Sequence, residues 1–353
     1  VMQVAVKQLL SRYGSDAQVR VSGVIRLRKF HLINNLVKNI YSCLNSWFWS
    51  KLVRGKDRPV GEIFLLDTFL LSDSFNSHLI FNDRYYGDVI NRLPKLMRDQ
   101  AFYLPTIFGL YYPWEWWNLF RNVSKSSNNF LLKEYWLSVT DYSFAIWKSM
   151  TLPLEIKKIP QWRKLDISSL VREELLLDRG SFSITQAILM FRSFKRYKQA
   201  GLKIKGVVDW FENQTIDRAL HLGVKKYYPN TLTKGYMGYL VEGYYASLTP
   251  MPYEYHAGIL PDELLVIGNA FVKRKKKVCP ELKITVAPAL RHQDVIKYKQ
   301  DNNIEKTIIL LALPIQIDEA ERIIQLAIKA DICCEYKWAV KTHPTVSKEK
   351  FKR

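Results

Sequence analysis

Residues 203–223, KIKGVVDWFENQTIDRALHLG, decide the fold class of this chain. Lys203–Phe211 has the apolar, β-branched composition of a buried strand and ends at a polar turn. The apolar residues of Thr215–Leu222 then fall on one helical face, and Gly223 is a residue favoured just after a helix. A strand followed directly by a helix is the repeating unit of a parallel α/β sheet.

The same alternation extends in both directions along the chain. Strand-like runs occur at Glu62–Phe69, Leu264–Gly268, Lys283–Val286, Thr307–Leu313 and Trp338–Val340, and Leu104–Thr106 reads as a strand or a loop. Helical patterns cover Asp88–Gln100, Phe130–Ser149, Ile167–Leu177, Ser183–Ala200 and Asp318–Ala330, and residues 1–60 read as helices with a basic face. This order predicts parallel sheets covered by helices.

The length of 353 residues allows two such domains. We expect an N-terminal Rossmann-like domain with helical additions over 1–270, a linker over 271–305, and the start of a second Rossmann-like domain over 306–353. A single βαβ unit does not bury both faces of a sheet, so we expect the polypeptide to continue beyond residue 353. The basic run Lys273–Lys277 is predicted to be a solvated loop.

Composition narrows the setting in which the chain works. Hydrophobic residues make up 48% and charged residues 24%, as in a globular protein. No stretch approaches the roughly 18 uninterrupted apolar residues of a membrane span, and no signal-peptide pattern is present. The four cysteines match neither a zinc site nor a redox motif, which favours the cytoplasm.

The net charge of +20 predicts an anionic partner: nucleic acid, an anionic lipid surface or a phosphorylated substrate. Aromatic residues mix with basic ones in two patches, Trp47–Lys51 with Arg54 and Tyr111–Trp117 with Arg121. Such patches are typical of a membrane interface. Sugar stacking or packing in the core would use the same residue types.

Several catalytic motifs do not occur in the sequence. GxxxxGK[ST], GxGxxG, HExxH and GxSxG are all missing, which counts against P-loop, dinucleotide-binding, zincin and α/β-hydrolase chemistry. No Asp-x-Asp pair occurs, so we predict no metal ion and no cofactor besides the substrate.

One polar cluster follows the strand of the opening stretch, where ligands of open parallel sheets bind. It contains Asp209, Glu212, Asn213, Gln214 and Asp217. A carboxylate there would act as a general base or as a nucleophile toward an anomeric carbon, with Glu212 preferred over Asp217 and Asp209. The alternative is that Asn213 caps the helix while Glu212 and Asp217 complement its dipole.

A second cluster, Lys341-Thr342-His343-Pro344-Thr345, also follows a predicted strand. A lysine and an imidazole at this position suit a phosphate leaving group; a structural histidine is the alternative. A third cluster contains Asp83 and Arg84, in which the arginine suits a sugar carboxylate and the aspartate suits hydroxyl groups. A helix-start motif is the alternative there. His31, His78, His221, His256 and His292 form no recognisable ligand spacing.

An ordered set of motifs resembles a known family. The set is Trp210–Gln214, Gly235–Gly238, Pro250–Glu254, Leu260–Asp262, Val266–Asn269, Ala312–Pro314 and Lys341–Pro344. It resembles bacterial surface-carbohydrate (O-antigen and capsule) biosynthesis proteins and, in its later members, GT-B glycosyltransferases that use cytidine nucleotides. The resemblance extends from about Val60 to His343. Met237 stands where this family pattern leads us to expect Gln.

The resemblance implies a GT-B enzyme that transfers a 3-deoxy-ulosonic acid such as Kdo from its CMP ester to a saccharide acceptor. It implies that His343 contacts the CMP phosphate and that one acidic residue of the N-terminal domain does the chemistry. We expect donor contacts from Lys341, His343, Thr345, Gly268 and Asn269. Further substrate contacts are expected from Asp83, Arg84, Asn213, Gln214, Tyr236 and Glu254.

Other functions share some of these features. A CDP-polyol phosphotransferase or a UDP-sugar GT-B enzyme would have the same layout, and a basic nucleic-acid-binding or membrane-binding module would have the same charge. No RNP, helix-turn-helix or zinc-finger signature occurs, which counts against a nucleic-acid-binding function. We expect the protein on the inner face of the cytoplasmic membrane, where excess Lys and Arg meet anionic lipid and lipid-linked acceptors.

Overall fold

The computed structural model describes residues 22–53, 55, 59–156, 166–239, 248–292, 308–314, 316–330 and 337–342. The chain divides into two compact units, Val1–Gln293 and Asp294–Arg353. Each unit is an α/β structure, and they are described separately.

The described part of the first unit contains a parallel sheet of six strands. They are β1 (Glu62–Leu70), β2 (Ala101–Ile107), β3 (Lys203–Trp210), β4 (Leu232–Met237), β5 (Glu263–Val266) and β6 (Lys283–Val286). All five neighbouring pairs are parallel, in the order β2-β1-β3-β4-β5-β6. The predicted Rossmann-like parallel sheet is therefore confirmed.

The strand order creates a switch point between β1 and β3. From β1 the chain crosses to β2 on one side, and it then returns to place β3 and every later strand on the other. At the carboxyl ends of β1 and β3 the chain leaves the sheet in opposite directions, which opens a crevice between the two connections. Open parallel sheets bind ligands in such a crevice.

Ten helices accompany the sheet in the described part of this unit. They are α1 (Ser22–Leu52), α2 (Val89–Arg92), α3 (Lys95–Gln100), α4 (Pro113–Lys125), α5 (Val139–Glu155), α6 (Ser168–Leu177), α7 (Phe182–Gln199), α8 (Thr215–Tyr227), α9 (Pro252–His256) and α10 (Asn269–Val278). The predicted helix over Phe130–Ser149 starts later, because residues 133–135 form a short 3₁₀ turn before Ser138 begins α5.

Apolar side chains alternate between the two faces of the central strands and form a core on each. On one face, Leu65 and Val207 pack with Phe194 of α7 and Leu220 of α8. On the other face, Leu66 and its neighbours pack with α4, whose Trp116, Leu119 and Phe120 are buried. A third core beneath α9 and α10 covers the β5–β6 end of the sheet. Because β1 and β3 are covered on both faces, their carboxyl ends are held rigidly.

Helix α8 does not end at Gly223 as predicted but continues to Tyr227. The glycine is needed for close packing instead of for a helix end. A Cβ atom at this position would lie 2.8 Å from Cδ2 of Phe194 and 3.4 Å from the Cα of Phe191, both on α7. Gly223 therefore lets α7 and α8 approach each other closely over the sheet.

The boundary predicted at residue 270 falls inside the first unit. Residues 269–278 form α10 and residues 283–286 form β6, the edge strand paired with β5. The region 271–292 is thus part of the first sheet and not a linker. The Lys273–Lys277 loop is also a wrong prediction, because this run lies within α10, where Lys275 is buried and donates to the carbonyl oxygen of Leu248.

The second unit contains one described βαβ element. Strands β7 (Ile308–Ala312) and β8 (Lys337–Lys341) pair in parallel, and α11 (Ile317–Ala330) lies between them in the chain. These elements match the predicted strand–helix–strand order. No helix in the described ranges is long and apolar enough to span a bilayer.

Candidate functional site

Asp67 and Asp209 lie on the two strands that flank the switch point. Asp67 follows the register pair Leu66–Val208 on β1, and Asp209 follows it on β3, so the two carboxyls are neighbours in the sheet. Asp67 lies two residues after Leu65, and Asp209 lies two residues after Val207. Side chains two residues apart on a strand point to the same face, so both carboxyls face α7 and α8. Both side chains are buried.

The two carboxyl groups hydrogen-bond to each other, which requires a proton on one of them. Burial raises the pKa of Asp67 well above its usual range, and the charge of Asp209 adds to this rise. Burial also raises the pKa of Asp209, to about 7. The larger rise is on Asp67, so Asp67 is the protonated member and donates to Asp209.

His221, on α8, completes this buried group. Its Nε2 atom lies 2.9 Å from Oδ2 of Asp209, and both side chains are fully buried. Burial lowers the pKa of His221 to about 3, so its ring is neutral and donates its Nε2–H to Asp209. Among the residues that the structure describes, Nδ1 of this ring has no hydrogen-bond partner.

Asp217 closes the turn between β3 and α8. Its Oδ2 atom accepts the backbone N–H groups of Glu212 and Gln214, each at 2.9 Å. Gln214 is the N-cap residue, with Asp217 at the third helical position, so the alternative that Asn213 caps the helix is wrong. Burial raises the pKa of Asp217, and the Asp209 charge adds to it. This carboxyl faces the protein and not a substrate.

Glu212 is the half-buried member of the group, whereas Asp67, Asp209 and Asp217 are buried. Its Oε1 atom accepts the Nε1–H of Trp210 at 2.8 Å, and its Oε2 atom accepts from the side-chain amide of Gln214. Asp217 also accepts the Glu212 backbone N–H, so both the backbone and the side chain of Glu212 are held in place. It is therefore the carboxylate of this group that a substrate can reach.

Aromatic side chains surround the Glu212 carboxylate. Trp210 is buried among the rings of Tyr85, Tyr86, Tyr236 and Tyr239, at centroid distances of 4.6 to 6.2 Å. Tyr85 and Tyr239 are half-buried. The exposed guanidinium of Arg291, from the segment after β6, lies 5.9 Å from the Trp210 ring. The crevice thus has a carboxylate, two accessible phenol rings and a cation.

Asn213 and Glu254, both predicted to contact substrate, contact each other. The Asn213 amide donates to Oε2 of Glu254 at 3.2 Å, and Arg218 pairs with the same carboxylate. Glu254 also accepts the backbone N–H of Met251 at the start of α9. Asn213 has the positive φ of 54°, which turns the chain from β3 into α8. The contacts of these two residues join α8 to α9.

Tyr236, Gly268 and Asn269 all lie at the carboxyl edge of the sheet. The Tyr236 hydroxyl donates to the carbonyl of Pro288 at 2.8 Å and accepts the N–H of Leu290 at 2.9 Å, so it holds the segment that carries Arg291. Gly268, with φ of 149°, precedes α10, and Asn269 is its first residue. Gly268 and Asn269 thus lie at a helix N-terminus, where backbone N–H groups favour anions.

Asp83 and Arg84 are engaged within the loop after β1. The Asp83 carboxylate accepts the backbone N–H groups of Tyr85 and Tyr86 and the hydroxyl of Tyr103. Burial raises the pKa of Asp83, and these hydrogen bonds offset only part of the rise. Arg84 pairs with Asp73 at 2.6 Å on the exposed side. Asp83 therefore positions Tyr85 at the crevice.

The phosphate cluster predicted near the end of the chain is described only in part. Lys341 ends β8 with an exposed side chain, and its carbonyl accepts the N–H of Leu313 at 2.9 Å. His343 and Thr345 lie outside the described residues. In the described ranges no group of three or more His, Cys, Asp or Glu side chains is arranged to hold a metal ion.

Two residues of the site carry no role in the sequence-based prediction, Asp67 and His221. Asp67 interrupts the apolar run EIFLLDTFL, and an acid inside a buried strand is the signal that marks it. His221 occurs on the helix that begins in the opening stretch, but its contact with Asp209 depends on how α8 packs against β3. No local pattern gives that contact.

Comparisons with known proteins leave the family of this chain open. No protein-family model matches it, and no curated protein matches it. Among solved structures, the crystal structure of O-ureido-L-serine synthase aligns with 92% of this chain and 81% of its own chain, at 10% identity and a TM-score of 0.21. A likeness at this level carries no functional argument.

Proposed function

We propose that this chain is a glycosyltransferase of bacterial surface-polysaccharide biosynthesis, with Glu212 as its reactive carboxylate. The observation that carries the proposal is the position of Glu212. It is a half-buried carboxylate directly after β3, at the switch point of a parallel sheet, oriented by Trp210 and Gln214. Carboxylates so placed serve as bases or nucleophiles in sugar transfer.

The surroundings of Glu212 suit a sugar better than an apolar ligand. The half-buried rings of Tyr85 and Tyr239 pack against Trp210 beside it, and the Tyr239 hydroxyl donates to the carbonyl of Phe211 at 3.1 Å. Arg291 adds a cation that would pair with an acidic sugar or a phosphate. A 3-deoxy-ulosonic acid such as Kdo, activated as its CMP ester, carries both groups, and the sequence resemblance names the same donor.

The reaction requires little beyond a positioned base and a stabilised leaving group. As a base, Glu212 takes the proton of the acceptor hydroxyl while the hydroxyl oxygen bonds to the anomeric carbon. The bond from that carbon to the phosphate oxygen breaks, and CMP leaves with the electron pair. As a nucleophile, Glu212 bonds to the anomeric carbon while the bond to the phosphate oxygen breaks and CMP leaves. The acceptor hydroxyl oxygen then displaces Glu212, which leaves with the electron pair as a carboxylate and takes up the hydroxyl proton.

The buried residues beneath Glu212 hold it in place. Asp217 binds its backbone N–H, and α8, which carries Asp217, is tied to β3 by the contact from His221 to Asp209. Lys341 and His343 of the second unit are proposed to stabilise the departing phosphate, with Thr345, Gly268 and Asn269 as further donor contacts. A GT-B arrangement of two Rossmann-like domains is part of this proposal. Metal independence is part of the proposal, because no Asp-x-Asp pair occurs.

The first test measures transfer from a CMP-activated ulosonic acid to a saccharide acceptor. We expect Glu212→Gln to lower the rate by about 10²–10⁴-fold, the usual contribution of a general base. Asp73→Asn, which changes an exposed carboxylate in the loop after β1, is the matched control and should keep full activity. Full transfer by Glu212→Gln would remove this residue from the mechanism.

The second test identifies the donor nucleotide. The thermal unfolding midpoint of the wild-type protein should rise with CMP and stay unchanged with CDP or UDP. Stabilisation by UDP alone would favour a UDP-sugar enzyme, and stabilisation by CDP alone would favour a CDP-polyol phosphotransferase. The same measurement on Glu212→Gln should show unchanged CMP binding, which separates loss of chemistry from loss of the site.

The proposed acceptor is a saccharide or a lipid-linked glycan, and the proposed location is the inner face of the cytoplasmic membrane. The charge of +20 supports attraction to anionic lipid.

A further inference from the structure

One side of α1 exposes a continuous line of apolar residues. The opposite side packs against α4, α5, α6 and α7. The exposed residues recur every three or four positions, so they lie on one face of the helix. They are Ile33, Val37, Ile40, Leu44, Phe48 and Leu52. Unlike an isolated exposed leucine, a line of this length marks a surface that contacts another apolar phase.

The start of α4 continues this apolar line. Trp117 lies against Trp49 of α1, with ring centroids 5.4 Å apart, and the hydroxyl of Tyr41 donates to the carbonyl of Tyr111. Four aromatic residues of this segment are exposed, namely Tyr111, Tyr112, Trp114 and Trp117. The line on α1 and these four residues together form what we call the α1–α4 surface.

The charges around the α1–α4 surface are nearly all positive. The 31 residues of α1 include five Lys or Arg and no Asp or Glu. Residues 108–125 contain one acid, Glu115, whose carboxylate accepts the N–H groups of Tyr111 and Tyr112. Exposed cations border the surface at Lys38, Lys51, Arg121 and Lys125. The surface is therefore apolar and aromatic with a basic rim.

We propose that the α1–α4 surface docks onto an anionic lipid bilayer, with its apolar and aromatic side chains in the headgroup region. Tyrosine and tryptophan prefer this region, and Lys and Arg beside them meet lipid phosphates. Docking deepens the proposed function, on which it rests, because it brings the enzyme to lipid-linked acceptors. A second copy of the chain fits less well, because two such surfaces would bring like charges together.

Binding to lipid vesicles tests this proposal without donor or acceptor. The vesicles contain phosphatidylcholine alone, or phosphatidylcholine and phosphatidylglycerol in equal parts. The docking variant combines Leu44→Ser, Phe48→Ser and Trp114→Ser, three side chains that are 59%, 50% and 59% exposed. The matched control combines Ile80→Ser, Leu96→Ser and Tyr253→Ser, which are at least as exposed and lie on other segments. Circular dichroism and thermal unfolding confirm that each variant is folded.

We expect the wild-type protein and the control to sediment with anionic vesicles, and the docking variant to bind at least about tenfold more weakly. A charge variant, Lys38→Glu with Lys51→Glu, should lose binding to the vesicles that contain phosphatidylglycerol. Its binding to vesicles of phosphatidylcholine alone should match that of wild type. Undiminished vesicle binding by the docking variant would overturn the proposal. So would a wild-type dimer that binds no vesicles and that the docking variant dissociates.

These outcomes are independent of the reaction. If docking fails, transfer to a soluble acceptor is unaffected and still tests Glu212. If the proposed chemistry fails, vesicle binding still reports on the α1–α4 surface.

Discussion

Asp141 and the three acids around Asp209 are all buried in the first unit, but their surroundings shift their pKa values in opposite directions. Asp141, at the start of α5, accepts hydrogen bonds from the guanidinium groups of Arg192 and Arg196 on α7. Burial raises the pKa of Asp141, but the hydrogen bonds from Arg196, Ser138 and Arg192 together outweigh it and lower the pKa to about 2. This carboxylate remains charged and paired.

The group around Asp209 has hydrogen-bond partners but no cationic partner of this kind. In the described part of the chain, Asp67, Asp209 and Asp217 form no ion pair with Lys or Arg, and burial raises the pKa of all three. Burying an acid without a cationic partner destabilises a fold. Asp141 is therefore stabilised in its charged form, whereas the three acids of the Asp209 group are shifted toward their neutral form.

Removing the compensated carboxylate should have the largest effect on stability. Asp141→Ala leaves two guanidinium groups without their partner and also removes the acceptor for the Ser138 N–H at the start of α5. We expect a loss of about 3–5 kcal/mol in the free energy of unfolding, measured by denaturant titration. Asp73→Ala breaks an exposed pair and should cost less than about 1 kcal/mol. Similar losses in both variants would contradict the comparison.

Replacing an uncompensated acid should instead stabilise the protein. The Asp67 pKa is higher in the folded than in the unfolded chain, so the folded state binds more protons and stability falls as the pH rises above about 4. Asp67→Asn keeps a donor to Asp209 and does not titrate. Its unfolding free energy relative to wild type should therefore increase by up to about 1.4 kcal/mol per pH unit from pH 5 to pH 8. A pH-independent difference would show that Asp67 titrates normally.

The hydrogen-bond donors of the two sites also differ. Asp209 accepts from the neutral imidazole of His221, whereas Asp141 accepts from charged guanidinium groups. His221→Leu removes this donor and leaves the buried Asp209 carboxyl less satisfied, which should cost about 1–3 kcal/mol at pH 7. His221→Gln retains a side-chain N–H donor and should recover most of that loss. Equal losses in the two variants would show that ring packing, and not the hydrogen bond, is what His221 contributes.

The sequence predicted four of the six strands of the first sheet because strand signals are local, but it did not predict β4 and left β2 as a strand or a loop. Apolar runs and their polar ends mark β1, β3, β5 and β6 to within a few residues. The errors fall where packing decides the outcome. Gly223 has the local signature of a helix end, yet its contact with Phe194 makes it a helix-packing glycine. The KRKKK run reads as a solvated loop, yet α10 buries Lys275 against a carbonyl.

The geometry around the candidate site was predictable in part for the same reason. Glu212 and Asp217 were singled out because they follow a strand in the chain, where position alone indicates a ligand edge; their roles remain predictions. Asn213 and Glu254 are 41 residues apart, and nothing in the spacing predicts that they bind each other. The contact between Asp67 and Asp209 depends on the register of β1 with β3, which no single stretch of sequence contains.

Gly223 allows a last and smaller test, because it joins the two carboxylate groups. Helix α7 carries the arginines that bind Asp141, and α8 carries the histidine that binds Asp209. Gly223→Ala places a methyl group 2.8 Å from the Phe194 ring and should push these helices apart. Overpacking costs about 1–3 kcal/mol, and the better helix propensity of alanine returns up to about 1 kcal/mol, so we expect a net loss of about 1 kcal/mol.

The ring of Phe194 is the atom group that must yield, so a second change should relieve the first. In a double-mutant cycle, Phe194→Leu should cost less stability in the Gly223→Ala background than in wild type, because the smaller side chain makes room for the methyl group. Additive losses would show that the alanine is accommodated elsewhere. If the contact between α7 and α8 also sets the position of Asp217 below Glu212, then Gly223→Ala should slow transfer, and the double variant should recover it together with the stability.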